Sequence, residues 1–493
     1  MNFRMIAYVL GWLLVFEALF MLVPSITALV FGESIVCVFL LAAATCLLFG
    51  VPLIMIKKPV KRKLYSREGH VIVALSWIVL SIFGALPLFL SREIPSFIDA
   101  VFETASGFTT TGASILADVE SLSKASLMWR SFTHWIGGMG VLVFIMAFLP
   151  LSGAQNMHIM RAESPGPSVS KLVPRVKTTA LLLYAIYVVL TLIEFVMLLF
   201  GGMTVFEALN TAFATAGTGG FGFYNSSMGG FSPYIQIVVT VFMVLFSINF
   251  NSYFVFLSRD FFKKGALKSG VIFKKLREAF TTEVLVFFFV VFSATTVITV
   301  NIHTMYGSWG ESLRHSAFTV ASLISTTGFS TTDYNLWPEL SRTLLVLVMF
   351  IGACAGSTGG GIKVSRIVIL FKGMAKELLV MVHPKQVKRI KVDDHTIEHD
   401  VVRAVNMYMV AYIMVFVLSL IVISFDNHDL ITNFTAVLAA INNIGPGLDM
   451  VGPTANFGFF SPLSKCVLIF DMLAGRLELF PMILLFSPAT WKK

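Results

Sequence analysis

Four short segments that each end in glycine are the residues of this chain whose type and spacing could do chemistry. They comprise Thr109, Thr110, Thr111 and Gly112; Thr215, Ala216 and Gly217; Ser325, Thr326, Thr327 and Gly328; and Asn442, Asn443, Ile444 and Gly445. A dehydrated cation needs a ring of oxygens in place of its water shell, and backbone carbonyls supply that ring when they point inward. Glycine adopts the unusual dihedrals of such backbone without a Cβ penalty. Four of these segments around one axis would form stacked oxygen rings.

The pattern of the four segments separates a pore from ordinary loops. Aligned on the final glycine, they read TTTG, TAG, STTG and NNIG. Their threonine side chains can fix the backbone by hydrogen bonds or add oxygens of their own. The simpler interpretation is a set of glycine-containing loops between packed helices, because glycine is common in transmembrane helices. One such loop would be weak evidence, whereas four in equivalent positions favour a cation pore.

The composition indicates that the helices positioning these segments are surrounded by lipid. Of the 493 residues, 57% are hydrophobic and 13% are charged, and the mean hydropathy is +0.85. Soluble proteins are about 25% charged and could not keep this much apolar surface out of water. The chain is therefore expected to lie in a lipid bilayer. The composition excludes a disordered chain, a coiled coil and a nucleic-acid-binding domain, although the pI is about 9.3.

The cysteines and the N-terminus add little chemistry. None of the four cysteines belongs to a CxxC pair, and all lie in or beside apolar stretches. Neither a disulfide framework nor a transition-metal site is expected from them. The first apolar segment, 5–22, contains Glu17 and lacks a good small-residue cleavage site after it. We interpret it as a retained span and not as a signal peptide.

Apolar stretches of two lengths alternate along the chain. A spanning helix needs about 20 mostly apolar residues. Ten windows meet this requirement, at 5–23, 35–56, 71–91, 126–150, 179–201, 234–258, 284–301, 342–371, 404–425 and 462–488. Four shorter segments lie at 98–111, 203–216, 314–327 and 430–444. About 14 residues reach only ~21 Å, which is too short to cross a core of about 30 Å.

The placement of charge predicts how the short segments enter the membrane. Most of the 36 lysines and arginines lie in the linkers 54–70, 155–177, 259–283 and 372–403 or at the C-terminus. Basic residues collect in cytoplasmic loops, so all four linkers and both termini are predicted to be cytoplasmic. Full crossing by the short segments would put successive linkers on alternating sides. The short segments therefore dip in from the outside and return, with their negative helix ends toward the cation.

The sequence thus predicts an all-α polytopic membrane protein with a pseudo-fourfold pore. Each repeat consists of a span, a re-entrant pore helix, a glycine-containing segment and a second span. The repeats cover 69–152, 178–260, 282–372 and 402–490, and residues 1–58 form two extra N-terminal transmembrane helices.

A glycine-rich stretch at 352–361 interrupts the second span of the third repeat. It contains Gly352, Gly356, Gly359, Gly360 and Gly361. Each glycine weakens a helix by roughly 1 kcal/mol relative to alanine. A phosphate-binding P-loop is excluded, because Ile362 stands where the lysine is needed and no strand precedes the stretch. The stretch is either a kink in a helix or a mobile loop that gates the pore.

Arg476 lies in the middle of the last predicted span. A charge at the bilayer centre costs at least about 2.5 kcal/mol, so the side chain should face a cavity or a partner. A structural ion pair with Glu478, Asp471 or Glu103 is one interpretation. The other, which we favour, is a cation barrier that lies inside the pore and moves with the gate. Elsewhere, Arg130 and His134 are expected to make interfacial or interhelical bonds.

These residues resemble the Trk/Ktr/HKT superfamily of potassium transporters over nearly the whole chain. The matching signatures are FETASGFTTTGAS at 102–114, TAGTGGFG at 215–222, STTGFSTTDYN at 325–335 and NNIGPG at 442–447. The chain is most similar to the bacterial Trk-type pore subunit, which has two extra helices before its four repeats.

This resemblance implies properties that the residues alone do not. It implies a potassium-selective pathway in each protomer of a homodimer in the bacterial inner membrane. It implies that the stretch 352–361 is a mobile loop under the filter that obstructs the pore, the interpretation that we favour. It also implies a cytosolic nucleotide-binding regulatory ring, so nucleotide would act only through this partner, while potassium is the transported ion and no cofactor is covalently bound. Many sodium-conducting plant relatives have serine at the first glycine, so Gly112 favours potassium.

Several other functions compete with a gated potassium-uptake pore. They are a symporter of potassium with protons or sodium, a sodium-permeable cation channel, a polytopic membrane enzyme and a regulatory scaffold. The sequence has no HExxH or GxSxG motif and no cluster of carboxylates at membrane depth, so an enzyme is not expected. The absence of a chain of buried carboxylates disfavours proton coupling without excluding it.

Overall fold

The structure is a computed structural model that describes residues 1–55, 66–140, 176–257, 280–384, 389–393 and 395–491. The predicted all-α membrane fold is confirmed, and the only strands among these residues are Lys391–Val392 and His395–Thr396, which pair antiparallel. Most of the predicted linkers 54–70, 155–177 and 259–283 lie outside the described residues. The last ten residues of the predicted window 126–150 and the last twelve of its repeat, 69–152, also lie outside them.

An N-terminal helical hairpin precedes the repeats. It consists of α1 (Phe3–Phe20), α2 (Leu22–Phe31) and α3 (Val36–Met55). A Cβ on Gly11 would come within 2.8 Å of Gly50 O, and one on Gly50 within 2.9 Å of Gly11 O. These glycines therefore let the two helix backbones touch, as small residues do in membranes.

Each of the four repeats begins with a long helix. These helices are α4 (Ser66–Gly84), extended by α5 (Leu86–Leu90), and α8 (Val176–Phe200), α12 (Thr282–Tyr306) and α16 (His399–Ile423). Six helical stretches are long and apolar enough to cross a membrane within the described residues: two from the N-terminal hairpin and one from each repeat.

A short helix follows each long one, in the place predicted for the re-entrant segments. The four are α6 (Phe97–Phe108), α9 (Val205–Ala216), α13 (Trp309–Ile324) and α17 (Leu430–Ile441), which we call pore helices 1 to 4. They have 12, 12, 16 and 12 residues, too few to cross the bilayer. Three begin at a side-chain cap, from Ser96, Thr204 and Asp429, which satisfies exposed N–H groups at the helix start.

The second spans of the repeats were predicted to be continuous helices, and this prediction is wrong, because each second helix is interrupted or ends early. The helices are α7 (Lys124–Gly138); α10 (Pro233–Ser247) and α11 (Phe250–Leu257); α14 (Glu339–Ile351) and α15 (Val364–Val382); and α18 (Pro462–Arg476), α19 (Phe480–Phe486) and α20 (Pro488–Trp491). Only the break after α14 is predicted from glycine content.

The other three helices end because their backbone leaves helical geometry. Gly140 follows α7 with φ +82°, Ile248 follows α10 in extended conformation, and Glu478 and Leu479 follow α18 with φ +53° and +68°. A helix cannot continue through such residues. The second helix of each repeat therefore ends after 13 or 15 residues.

Candidate selectivity filter and gate

Every pore helix ends in the same hydrogen-bonded turn. In the first, Thr110 N donates to Gly107 O at 3.1 Å and Thr111 N donates to Ser106 O at 2.9 Å, which is a Schellman motif. The same two bonds close the other three helices, with donors from Thr218 and Gly219, Thr326 and Thr327, and Asn443 and Ile444. Because the N–H groups are used on the helix end, they do not compete for the carbonyl groups of the turn, most of which stay available to a cation.

The first residue after each helix cap is left-handed, although none of the four is glycine. Thr110, Thr218, Thr326 and Asn443 have φ of +57°, +54°, +59° and +55°. Such backbone costs a β-branched residue about 1–3 kcal/mol and survives only where its surroundings enforce it. The same strain at four equivalent positions marks these turns as a functional part of the fold.

These turns define four pore segments, at 109–112, 217–220, 325–328 and 442–445. The second differs from the alignment made on sequence, which matched Gly217 to the final glycine of the others. Gly217 caps pore helix 2 with φ −69°, whereas Gly220 has φ +73°, close to the +80° of Gly112. Thr215 and Ala216 belong to the last turn of the pore helix. The alignment is therefore three residues out of register in the second repeat.

The four pore segments close into a ring. A Cβ on Gly112 would overlap Gly219 O, one on Gly220 would overlap Thr327 O, and one on Gly328 would overlap Ile444 O. The ring closes where a Cβ on Gly445 would lie 2.8 Å from Thr111 O. Each glycine thus touches a carbonyl of the next repeat, in the order one, two, three, four.

Hydroxyl and amide groups brace the ring from behind. Thr109 Oγ1 and Thr111 Oγ1 are 2.8 Å apart in the first segment, and Ser325 Oγ and Thr327 Oγ1 are 2.6 Å apart in the third. Asn443 Nδ2 donates to Thr111 Oγ1 at 3.0 Å, which joins the fourth segment to the first. These side chains therefore fix the segments, one of the two roles expected for them.

His134 joins the first two repeats at the ring, a role beyond the interhelical bonding expected of it. Its Nε2 accepts from Phe221 N at 3.3 Å, and its Nδ1 lies 2.8 Å from Gly107 O. Since Phe221 N is a donor, Nε2 carries no proton and Nδ1 donates to the carbonyl. A neutral imidazole therefore ties the end of pore helix 1 to the second pore segment. A histidine within an apolar helix gives no sequence signal for this contact.

A cavity opens above the ring on the side where the pore helices begin. Its lining includes Gly112, Gly220, Gly328 and Gly445 of the four pore segments. Arg130 also lines it and forms a buried ion pair with Glu103 at 2.8 Å. The two charges therefore neutralise each other beside the cavity.

Glu207 completes a capping box with Thr204 at the start of pore helix 2. Its carboxylate accepts from Thr204 N at 2.9 Å and from Tyr224 Oη at 2.7 Å. Partial burial opposes ionisation of Glu207, but the hydrogen bonds outweigh it and lower the pKa of the carboxyl.

The glycine-rich stretch forms a loop that lies directly against the other face of the ring. Gly360 N donates to Thr326 Oγ1 at 2.6 Å, and Gly361 N donates to Asn442 O at 3.0 Å. On the opposite side, Thr358 Oγ1 donates to Phe246 O at 3.1 Å. The loop therefore contacts the second, third and fourth repeats, and a side chain on either Gly359 or Gly360 would overlap pore-segment backbone.

Glu283 anchors the loop at its base. One carboxylate oxygen accepts from Ala355 N at 2.6 Å and from Ser365 N at 3.1 Å. The second of these bonds also caps the start of α15, where an acid is favoured by the helix dipole. Lys363, with φ +82°, ends the loop and donates to Gly359 O.

Arg476 lies across the bottom of the ring at the C-terminus of α18. Its guanidinium donates to Thr110 Oγ1 at 3.2 Å, Thr358 O at 2.8 Å, Gly137 O at 2.5 Å and Gly138 O at 2.7 Å. The acids considered as its ion-pair partners have other contacts: Glu478 pairs with Arg366, Asp471 accepts from Ser419, and Glu103 pairs with Arg130. The side chain thus joins the gate loop to the pore segments.

These features define a polytopic helical membrane protein built from four pore-helix units around one axis. The chain matches the family TrkH, described as "Cation transport protein", over residues 36–493. It belongs to this family, so both the resemblance seen in the sequence and the expectation of a transport protein over an enzyme are confirmed.

Named relatives extend over the whole chain. It is 37% identical over 499 residues to the Trk system potassium uptake protein TrkH of Escherichia coli, and 32% identical over 499 residues to TrkG of the same organism. These alignments cover 100% and 99% of both chains. The crystal structure of the potassium transporter TrkH from Vibrio parahaemolyticus superposes with a TM-score of 0.88 at 34% identity and 100% coverage of both chains.

Proposed function

We propose that the chain is the pore subunit of a Trk-type potassium-uptake system and that the ring of pore segments is its selectivity filter. The closed ring of four Schellman turns carries this proposal. Each turn uses its N–H groups on a pore helix. Most carbonyl oxygens of the pore segments stay free; Gly217 O and Asn442 O are the ones that accept a hydrogen bond among those described. Four negative helix ends face the same centre. Stacked oxygens of this kind replace the water shell of potassium.

The oxygen layers of the proposed filter come from residues 109–111, 217–219, 325–327 and 442–444. The domain boundaries inferred from the sequence fit this assignment, since each predicted repeat supplies one segment. In the structure the loop 352–361 and Arg476 lie against the face of the ring that is opposite the cavity. The predicted cytoplasmic side of the basic linkers supports assigning this face to the cytoplasm. We propose that together they form a closed gate, and that potassium passes only after the loop moves away.

Our proposal for the partners of the pore is based on membership of the TrkH family. Its relatives carry the name "Trk system", which supports assembly with further subunits. We propose a homodimer in the bacterial inner membrane with both termini in the cytoplasm, and a cytosolic nucleotide-binding ring that moves the gate. Nucleotide would then act on the ring and not on this chain.

A flux measurement tests the proposal. The protein is reconstituted in liposomes with a potassium gradient, and fluxes of potassium, sodium and choline are compared with and without the nucleotide-binding partner. We expect potassium flux to exceed sodium flux, with no choline flux. Absence of potassium flux under all these conditions refutes a potassium pore, and equal sodium flux favours the sodium-permeable alternative.

Buried carboxyl groups favour proton-coupled uptake as the second candidate. Glu17, Glu194 and Asp471 are each 0% exposed, and Glu17 has no hydrogen-bond partner within the described part of the chain. Buried ionisable groups inside a membrane protein are typical of proton pathways in pumps and transporters. A pH gradient imposed without a potassium gradient would drive potassium uptake if coupling exists, and Glu17→Gln would abolish it. A passive pore would show neither effect.

A further inference from the structure

The oxygens around Arg476 form a cage that suits a cation. Three of them are backbone carbonyls, from Gly137, Gly138 and Thr358, and the fourth is the hydroxyl of Thr110. They come from the end of α7, the gate loop and the first pore segment. The face of Trp77 lies 5.7 Å from the guanidinium carbon. Carbonyl dipoles, a helix C-terminus and an aromatic face each attract positive charge.

The positions of these oxygens are set by contacts that do not involve Arg476. A Cβ on Gly137 would overlap Phe108 O, and one on Gly138 would lie 2.7 Å from Gly217 Cα, so the end of α7 is pressed against the end of pore helix 1 and the second pore segment. Thr110 belongs to a Schellman turn, and Thr358 Oγ1 is hydrogen-bonded to Phe246 O. The cage is therefore preorganised, and removing the arginine side chain leaves its oxygens in place.

We propose that this cage is a cation-binding site in its own right and that Arg476 occupies it as a tethered guanidinium. The proposal rests on the proposed potassium pore and adds a second site to it, below the filter. The site takes a small monovalent cation with planar N–H donors, of which free guanidinium is the simplest. Guanidinium should therefore restore, from solution, the barrier that a variant without Arg476 has lost.

Two variants separate occupation of the cage from other effects of the ion. Arg476→Ala empties the cage, whereas Arg476→Leu removes the charge but keeps an apolar side chain in the space. Potassium flux into liposomes is measured for both variants and the unmodified protein at about 10 mM guanidinium, with tetramethylammonium as the control cation. With a dissociation constant of about 2 mM, guanidinium should lower the Arg476→Ala flux about sixfold. Tetramethylammonium, which has no N–H donor, should not lower it.

The unmodified protein and Arg476→Leu should respond little, because their cages are filled. Equal inhibition of Arg476→Ala and Arg476→Leu would place the guanidinium elsewhere and overturn the proposal, as would an unaffected Arg476→Ala. If no variant conducts potassium, the proposed pore itself is refuted. Thermal unfolding of the purified variants then still tests whether guanidinium binds in the cage. Guanidinium at about 10 mM should raise the midpoint of Arg476→Ala alone if it binds the cage, and equal midpoints in all three proteins would overturn the proposal.

Discussion

Replacing Thr326 by valine should open the proposed gate. Gly360 N donates to Thr326 Oγ1 at 2.6 Å, and both residues are buried. Valine has nearly the same shape but accepts no hydrogen bond, so Thr326→Val leaves a buried N–H without a partner while the loop is in place. An unsatisfied buried donor costs about 1–3 kcal/mol. Since the loop leaves this contact on opening, the closed state alone is destabilised, and the open population rises about 5- to 140-fold.

Thr218 provides the matched control. It holds the same left-handed position in the second pore segment, but its hydroxyl donates to Gly217 O at 2.6 Å within its own turn. Thr218→Val therefore changes the same layer of the ring without removing an acceptor from a gate-loop N–H. Potassium flux into liposomes without the regulatory partner is compared for the two variants and the unmodified protein. The flux of Thr326→Val should rise, and that of Thr218→Val should not.

Two outcomes of this flux comparison would refute the proposed role of the bond between Gly360 and Thr326. An equal rise in both variants would mean that the flux responds to the oxygens of the ring and not to the gate. An unchanged Thr326→Val that folds and keeps potassium selectivity would mean that the bond to Gly360 does not hold the loop closed.

Three further perturbations test other contacts. Gly112→Ser should raise sodium flux relative to potassium, because its side chain would displace the adjoining carbonyl of the second repeat; an unchanged ratio measured in liposomes would show that this layer does not select. His134→Asn keeps a donor for Gly107 O but leaves Phe221 N without its acceptor, so the potassium-to-sodium flux ratio and the thermal midpoint should both fall. If only the midpoint falls, His134 stabilises the fold without shaping the filter. Glu283→Leu leaves two N–H groups at the gate-loop base unpaired, at about 1–3 kcal/mol each, and should raise basal flux, whereas Glu283→Gln retains an acceptor oxygen and should stay near the unmodified flux; equal fluxes from these two variants would contradict the anchoring role.

The sequence predicts the helices of this fold well because lipid imposes simple rules on them. Length and hydropathy locate both the spanning helices and the short pore helices to within a few residues. Breaks in the second helices are harder to predict. The one after Ile351 is marked by glycines, but those after Ser247 and Arg476 arise from residues with no strong turn preference. Both breaks lie against distant elements: Ser247 O accepts from Cys354 N of the gate loop at 3.0 Å, and a Cβ on Gly475 would overlap Ile441 O of pore helix 4.

The register of the second pore segment shows a different limit. The sequence TAGTGG contains three glycines, and any of them can be aligned with Gly112. The choice depends on where pore helix 2 ends, and propensity does not fix a helix end to within one or two residues. The Schellman bonds of Thr218 and Gly219 settle it, and they place Gly220 opposite Gly112. Likewise, the contacts of His134 and Glu283 depend on residues more than 70 positions away.

The head-to-tail contacts of the ring have an evolutionary consequence. In a channel assembled from four identical subunits, one mutation alters all four quarters of the oxygen ring at once. Here a different part of one gene encodes each quarter, so a single mutation alters only one quarter. The glycine of each quarter presses on a carbonyl of the next repeat. Ion preference can therefore drift in small asymmetric steps. The divergence of the four segments, from Thr111-Gly112 to Ile444-Gly445, is the record of that freedom.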